Sequence, residues 1–288
     1  MLKRLFNLFV SLGVVIVDRF ADVCRRLVGS KPRARCMVLA YHAVSPAERP
    51  LFASQMDFLM KRAKPLPADI DQLPAQTGNF AIVTFDDGLE NIIENALPEL
   101  QKRNIPATLF VVTDFFGRNR DWEHRGGDDT RAELVMTEEQ LKAIASDSIT
   151  VGSHSMTHPL MTKIPKDQLR QELLGSREKL EKMLQRKVSL LSFPYGGFNE
   201  QVVAESKLAG YKRVFTALPV YACTKPDEFA TGRVGTHPTD WPIEFRLKLA
   251  GAYRWLPIAF SLKKRVKGLL GGQKTKLVNA DSTEKRAA

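Results

Sequence analysis

Short apolar runs alternate with longer stretches of helical spacing along most of the chain. Residues 37–41, 80–83, 107–112, 149–152, 188–193 and 211–217 read as buried strands, and 229–234 closes the series. Between them, residues 54–62, 91–103, 166–185 and 199–209 carry apolar positions at helical spacing. Thr137-Glu138-Glu139-Gln140 is a capping-box signature that opens a further helix through Ala145. Residues 64–76 are rich in proline and polar side chains and read as loop, and 116–130 reads as a charged, glycine-containing rim insertion. Alternating strand and helix patterns predict an α/β domain with a parallel sheet covered by helices.

The unusual residues follow successive strands: His42, Asp86-Asp87, Asp114, His154, Pro194-Tyr195 and Arg233. Loops at the C-terminal ends of parallel strands converge on one site in a barrel. An open sheet gathers them only where its strand order reverses. Six contributions from across the chain favour a barrel or partial barrel, in a single domain over residues 37–245.

The two ends differ from this middle. Residues 1–36 carry eight Lys/Arg against two acids, and 246–288 carry eleven against two. The middle holds twenty-four Lys/Arg against twenty-eight acids, so the net charge of +11 resides in the ends. A mildly acidic central domain argues against a nucleic-acid groove, and basic ends beside apolar residues suit an anionic membrane surface. Leu2, Leu5, Phe6, Phe9, Leu12, Ile16, Phe20, Val23 and Leu27 form a stripe at helical spacing, and the apolar run is shorter than the ~20 residues that a bilayer span needs. The expectation is an uncleaved amphipathic helix at a membrane surface, with a first helix packed on the domain as the alternative. Residues 255–270 offer a second interfacial element, and the last fifteen residues read as a solvated tail. Cys24, Cys36 and Cys223 form neither a metal-spacing motif nor a disulfide framework.

Two adjacent carboxylates, Asp86 and Asp87, stand where an apolar strand should stop, and unpaired buried charge is costly. A metal ion is the simplest compensator. His154 and His158 are four residues apart just past another strand, a spacing that puts two imidazoles on one side of a helical turn. Two histidines and one carboxylate make a three-ligand site with room for water, suited to zinc or another divalent ion. The second carboxylate is then free to act as a base.

Thr84-Phe85-Asp86-Asp87-Gly88, Gly152-Ser153-His154-Ser155-Met156-Thr157-His158-Pro159 and Phe193-Pro194-Tyr195-Gly196 resemble, in order and spacing, the motifs of the polysaccharide deacetylase (NodB-homology) superfamily. The likeness runs from about residue 38 to 233. It implies a distorted, incomplete (β/α) barrel and removal of N- or O-acetyl groups from an amino-sugar polysaccharide, oligosaccharide or lipid-linked precursor. It further implies that Asp87, His154 and His158 bind a divalent metal, most simply zinc, that Asp86 is the general base, and that the Tyr195 backbone beside Pro194 stabilises the oxyanion. Tyr41-His42-Ala43-Val44 resembles the tyrosine-histidine motif of the exopolysaccharide deacetylase branch, which makes His42 the expected general acid, with His237 as the alternative. Many members carry an arginine two residues before the proline of the third motif; this chain has Ser192 there, and Arg233 is the expected replacement that orients the base.

Trp122 is a possible sugar-stacking residue or an exposed rim aromatic, Asp114 a cleft residue, and His124 a solvated one. Trp241, Tyr253 and Trp255 suit the core or a membrane as well as a substrate. A carbohydrate-binding relative without turnover and a glycoside hydrolase with paired carboxylates are the competing functions. Localisation is expected at a membrane, on the cytoplasmic face of the inner membrane, with a periplasmic or secreted placement as the alternative.

Overall fold

The computed structural model describes residues 1–31, 33–75, 77–122, 133–226 and 228–262. His124, most of the 116–130 insertion and residues 263–288 lie outside the described residues. Helix α1 (Leu2–Leu27) precedes β1 (Arg35–Tyr41), α2 (Arg49–Arg62), β2 (Lys64–Pro65) and β3 (Asn79–Phe85). Then come α3 (Asn91–Asn95), α4 (Leu97–Gln101), β4 (Ala107–Val111), α5 (Glu138–Ile144) and β5 (Ile149–Ser153). The chain continues through α6 (Lys166–Leu184), β6 (Leu190–Ser192), α7 (Glu200–Leu208), β7 (Arg213–Phe215), β8 (Ala230–Thr231), β9 (Val234–Gly235) and α8 (Pro242–Leu249). Every strand pairing is parallel, in the order β8-β7-β6-β5-β4-β3-β1-β9, with β2 beside β3.

The curl of the sheet follows from that order. Strands β8 and β9 lie at opposite ends of it, yet only Gly232 and Arg233 separate them in the chain. Three peptide steps span at most about 11 Å. The two edges must therefore come round to within that distance, and the sheet rolls into an incomplete (β/α) barrel. Residues 229–234, expected as one strand, are two short ones that close opposite edges.

Side chains alternate across a strand. Cys36, Val38, Phe80, Ile82, Phe110, Leu190 and Phe215 pack together inside the barrel. Their neighbours Met37, Leu39, Ala81, Val83, Leu109 and Val111 pack outward against Phe52, Met56 and Leu59 of α2 and Leu97 and Leu100 of α4. Both faces are buried, which is why these strands read as continuous apolar runs rather than alternating ones. Thr84 and Asp86 continue the inward row begun by Phe80 and Ile82, so the interior turns polar toward the C-terminal ends of the strands.

The capping box forms as expected: Gln140 N donates to Thr137 Oγ1 at 3.2 Å, and Thr137 N donates to Gln140 Oε1 at 2.7 Å. The helix expected over 91–103 is instead the pair α3 and α4, because Pro98 in the first turn of α4 cannot donate to a preceding turn. A two-residue strand, β2, opens the stretch read as loop.

A Cβ on Gly232 would press into the Leu218 carbonyl oxygen and the Val220 side chain. Gly232→Ala is expected to cost about 1–3 kcal/mol as overpacking at the seam, read from denaturant unfolding. Unchanged stability would show that the seam yields freely.

Candidate active site

The strand ends converge on a cleft of about 400 Å³, lined by Ala40, His42, Asp86, Asp87, His154, His158, Phe193, Tyr195, Gly196, Ala217, Arg233, Gly235 and His237. Asp86 stays in strand register, its N–H donating to the Tyr41 carbonyl at 2.9 Å. Its side chain follows the inward row and meets Arg233: Nη1 donates to Oδ1 and Nη2 to Oδ2, both at 2.7 Å. Such a fork fixes a carboxylate plane as no lysine could. The guanidinium also donates to Thr84 Oγ1 and Ser192 Oγ and lies over the Phe110 and Phe215 rings. Burial pushes the Asp86 carboxyl up, but Arg233, His154 and His42 outweigh it and hold the group well below the usual carboxylate range.

Asp87 leaves the strand. Its φ of 69° and the following Gly88 at 70° place two left-handed residues in succession, which swings the second carboxylate away from the first. Asp87 Oδ2 accepts from Arg120 Nη1 at 3.0 Å, and Arg120, fully buried, also faces Glu133 at 3.5 Å. Oδ1 points at His154 Nε2 and His158 Nε2, at 3.5 and 3.4 Å. Burial pushes the Asp87 carboxyl up too, and the imidazoles of His42, His158 and His154 hold it below its ordinary value.

The two histidines meet without a helix. Residues 154–158 form a turn with left-handed backbone at Ser155 (φ 71°) and His158 (φ 60°). Ser155 N donates to Ser153 Oγ, and His158 N to Ser155 Oγ. Buried Glu172 of α6 accepts from Met156 N, Thr157 N and Thr157 Oγ1 at 2.6–3.0 Å and clamps the outside of the turn. Among the described residues, seven non-glycine residues have positive φ, and four of them (Asp87, Ser155, His158 and Tyr195) lie at this site. Strain concentrated here is consistent with a functional constraint.

The donor set fits a divalent cation. His154 Nδ1 lies 2.8 Å from the Ser192 carbonyl, which can only accept, so the proton sits on Nδ1 and the lone pair of Nε2 faces Asp87. Burial, with His154 adding to it, pushes His158 down to about 3 against the pull of Asp87, so its ring is neutral near pH 7. Asp87 Oδ1 is buried without a hydrogen-bond partner among the described residues. Ligand atoms of Asp87, His154 and His158 lie within 4.8 Å of one another, all three residues buried. The Nε2 lone pair of His154 and the Asp87 Oδ1 it faces are acceptors with no donor between them, which is what a cation resolves.

The family model for polysaccharide deacetylases matches residues 75–214. YxkH of Bacillus subtilis, named for that family, is 24% identical over 237 residues, covering 78% of this chain and 79% of its own. The peptidoglycan-N-acetylmuramic acid deacetylase PdaA of the same organism is 31% identical over 136 residues, 46% of this chain and 44% of PdaA. The solved structure of IcaB from Ammonifex degensii superposes with a TM-score of 0.63 at 25% identity, over 77% of this chain and 99% of that one.

Residues 75–214, nearly half of the chain, match the polysaccharide deacetylase family, and the likeness to YxkH and IcaB extends over about three quarters of it. The remaining expected residues fall around the cleft. His42 is half-buried at the end of β1; burial lowers its pKa, while Asp87 and Asp86 pull it up. His237 is exposed at the rim, its N–H on Asp240 and its carbonyl on Gln55. Tyr195 follows Pro194 at φ 57°, and its ring packs edge-on against His158 at 4.6 Å.

Other expectations need correction. Trp122 is neither a sugar platform nor a rim residue: it is buried and stacks on His158 at 4.6 Å and 24°. Asp114 pairs with Lys179 at 3.4 Å and does not line the cleft. Of the three aromatics left open between core, membrane and substrate, Tyr253 is core, one of those readings, and Trp241 and Trp255 contact α1. Arg120 and Glu172 carried no sequence signal, because their partners lie across the fold at no motif spacing.

Arg120→Gln is expected to weaken divalent-metal binding about 10- to 100-fold, read by chelator competition, with thermal unfolding as the folding control. Unchanged affinity would show that Asp87 is oriented without Arg120. Arg233→Lys keeps a positive charge but loses the fork; turnover is expected to fall by up to about a hundredfold at unchanged metal stoichiometry. Wild-type turnover would remove Arg233 from the reaction.

Proposed function

We propose that the chain is a metal-dependent hydrolase that removes N-acetyl groups from an acetylated amino-sugar glycan. The observation that carries this reading is the division of labour between adjacent carboxylates: Asp87 faces the Nε2 atoms of two imidazoles, and Asp86 is held apart from them by Arg233.

Asp87, His154 and His158 would hold the ion, and two imidazoles with one carboxylate favour zinc. When bound, such an ion supplies Lewis-acid polarisation of the acetyl carbonyl and acidifies water at the site. Asp86 takes the proton of the attacking water. Arg233 keeps it ionised and fixes its plane, at the cost of some basicity, since a base is most effective with a pKa near the working pH. The Tyr195 N–H, presented by the turn that Pro194 opens, donates to the oxyanion that forms on the acetyl oxygen. His42 gives a proton to the departing amine; it faces the cleft within the field of both carboxylates, whereas His237 stands at the rim.

PdaA's name places its chemistry on peptidoglycan, and a glycan or lipid-linked glycan at a membrane surface fits the basic ends of this chain. A basic peripheral surface also suits the anionic leaflet on the cytoplasmic face of the inner membrane. A glycoside hydrolase needs a carboxylic acid kept protonated near neutral pH, but both carboxyls here are held below their ordinary range.

Acetate release from N-acetylated chito-oligomers is expected to stop on chelation and return with zinc. Asp86→Asn should bind metal like wild type and lose about a hundredfold or more in turnover. Metal binding without acetate release in the wild type would favour a carbohydrate-binding relative, and near-normal activity of Asp86→Asn would remove Asp86 as the base.

A further inference from the structure

Helix α1 is mounted with its polarity reversed. Its protein-facing row is Arg4, Leu8, Ser11, Val14, Val15, Asp18, Asp22 and Arg25, spaced three and four apart. Every polar side chain quoted in that row has a partner. Arg4 Nε donates to Glu244 at 2.8 Å and its guanidinium lies over Trp241. Ser11, fully buried, accepts from Trp255 Nε1 at 3.0 Å. Asp18 takes Arg254 at 2.6 Å, and Asp22 takes Arg35 and Arg25. The opposite row is Leu2, Leu5, Phe6, Phe9, Leu12, Ile16, Val17, Phe20, Val23 and Leu27, each 45–84% exposed. A helix that merely covers a domain does the reverse.

We infer that this face docks in the plane of an anionic bilayer. Its apolar stripe runs the 26-residue length of the helix, about 39 Å at 1.5 Å per residue. No described helix is long and apolar enough to cross a membrane, and the polar inner row forbids it for α1. Charge selects the partner. Both acids of α1 are turned inward and paired, whereas Lys3, Arg19 and Arg26, and Lys31 and Arg33 just beyond, are exposed. Anionic headgroups beside an apolar interior match that pattern. A second copy matches it less well, because a two-fold pairing of the stripes would set basic flank against basic flank. Exposed Ile258, Phe260 and Leu262 follow Trp255, which touches Phe6 and Ser11, so they extend the patch, and the sequence continues with Lys263, Lys264 and Arg265.

Docking has a consequence for substrate, and that step rests on the deacetylase reading. The first turn of α1 is pinned to Glu244 and Trp241, just after the segment that brings His237 to the cleft. The other end lies at Arg35, where β1 begins. The helix therefore runs along the barrel with its N-terminal end on the side of the cleft mouth, which favours glycans held at the membrane surface.

The test is flotation of the full chain with phosphatidylcholine vesicles, with and without phosphatidylglycerol, alongside sedimentation velocity and acetate release from soluble chito-oligomers. Wild type is expected to float with the anionic vesicles, less so in high salt. The triple variant Phe6→Ser, Phe9→Ser, Phe20→Ser should lose on the order of a hundredfold in vesicle affinity at unchanged oligomer activity. Arg19→Glu with Arg26→Glu, both at exposed positions, should lose the preference for anionic vesicles. Absence of flotation, or equal flotation of wild type and both variants, overturns the inference. So does a wild-type dimer that the serine variant disperses, with no vesicle binding. A wild type that floats but releases no acetate leaves the docking standing and defeats the deacetylase reading instead.

Discussion

The seam between β8 and β9 governs the molecule. Two residues must bridge opposite edges of the sheet, so the sheet has to curl. Glycine serves at the first position because a side chain there would enter the Leu218 backbone. Arginine at the second enters the barrel interior and reaches the end of β3, where it forks onto Asp86. Closure of the barrel and orientation of the candidate base are thus one constraint. Removing either partner of this buried pair would strand a charge, beside Phe110 and Phe215 in the case of Arg233, at a cost of about 3–5 kcal/mol.

Adjacent aspartates would repel if they shared an environment. The backbone prevents that: Asp86 keeps the strand's inward direction, and the left-handed turn at Asp87 sends its side chain elsewhere. Each then has its own arginine, Arg233 for one and Arg120 for the other. Arg120 occupies Oδ2 of Asp87 and leaves Oδ1 as the oxygen presented to the two imidazoles. The Ser192 carbonyl sets the tautomer of His154, and its hydroxyl donates to Asp86, so one residue of β6 touches both halves of the site. Ser192, at the position where the resemblance leads one to expect an arginine, therefore still contacts Asp86, through a smaller group that leaves room for Arg233.

Much of this was legible in the chain because it depends on local pattern. Buried parallel strands read as apolar runs, and polar residues at their ends stood out against them. The spacing of His154 and His158 was legible as a pair, but not the means of joining them: a turn with two left-handed residues, held by Glu172 from a helix, replaces the expected helical turn. The division of 229–234 into two strands was not legible either, since six residues of β pattern say nothing about which edges they join. Trp122 shows the same limit. Its place in a loop suggests a sugar-stacking residue or an exposed rim aromatic, and its burial against His158 depends on a loop whose course no periodicity encodes.

Helix α1 makes the related point for energetics. The sequence displays an amphipathic stripe, and burial of that stripe against the domain is the ordinary expectation for such a helix. The protein instead attaches α1 through ion pairs, one buried serine and the three smaller contacts of Leu8, Val14 and Val15, and leaves the long apolar row outside. Partly exposed pairs are individually worth about 0–1 kcal/mol, so this attachment is weak per contact and specific in direction. Burying ten large apolar side chains would outweigh all of them together, at about 25 cal/mol per Å². A helix free to choose would roll over. That it is held polar side inward implies that the apolar side is satisfied elsewhere, and the ion pairs fix which way it faces.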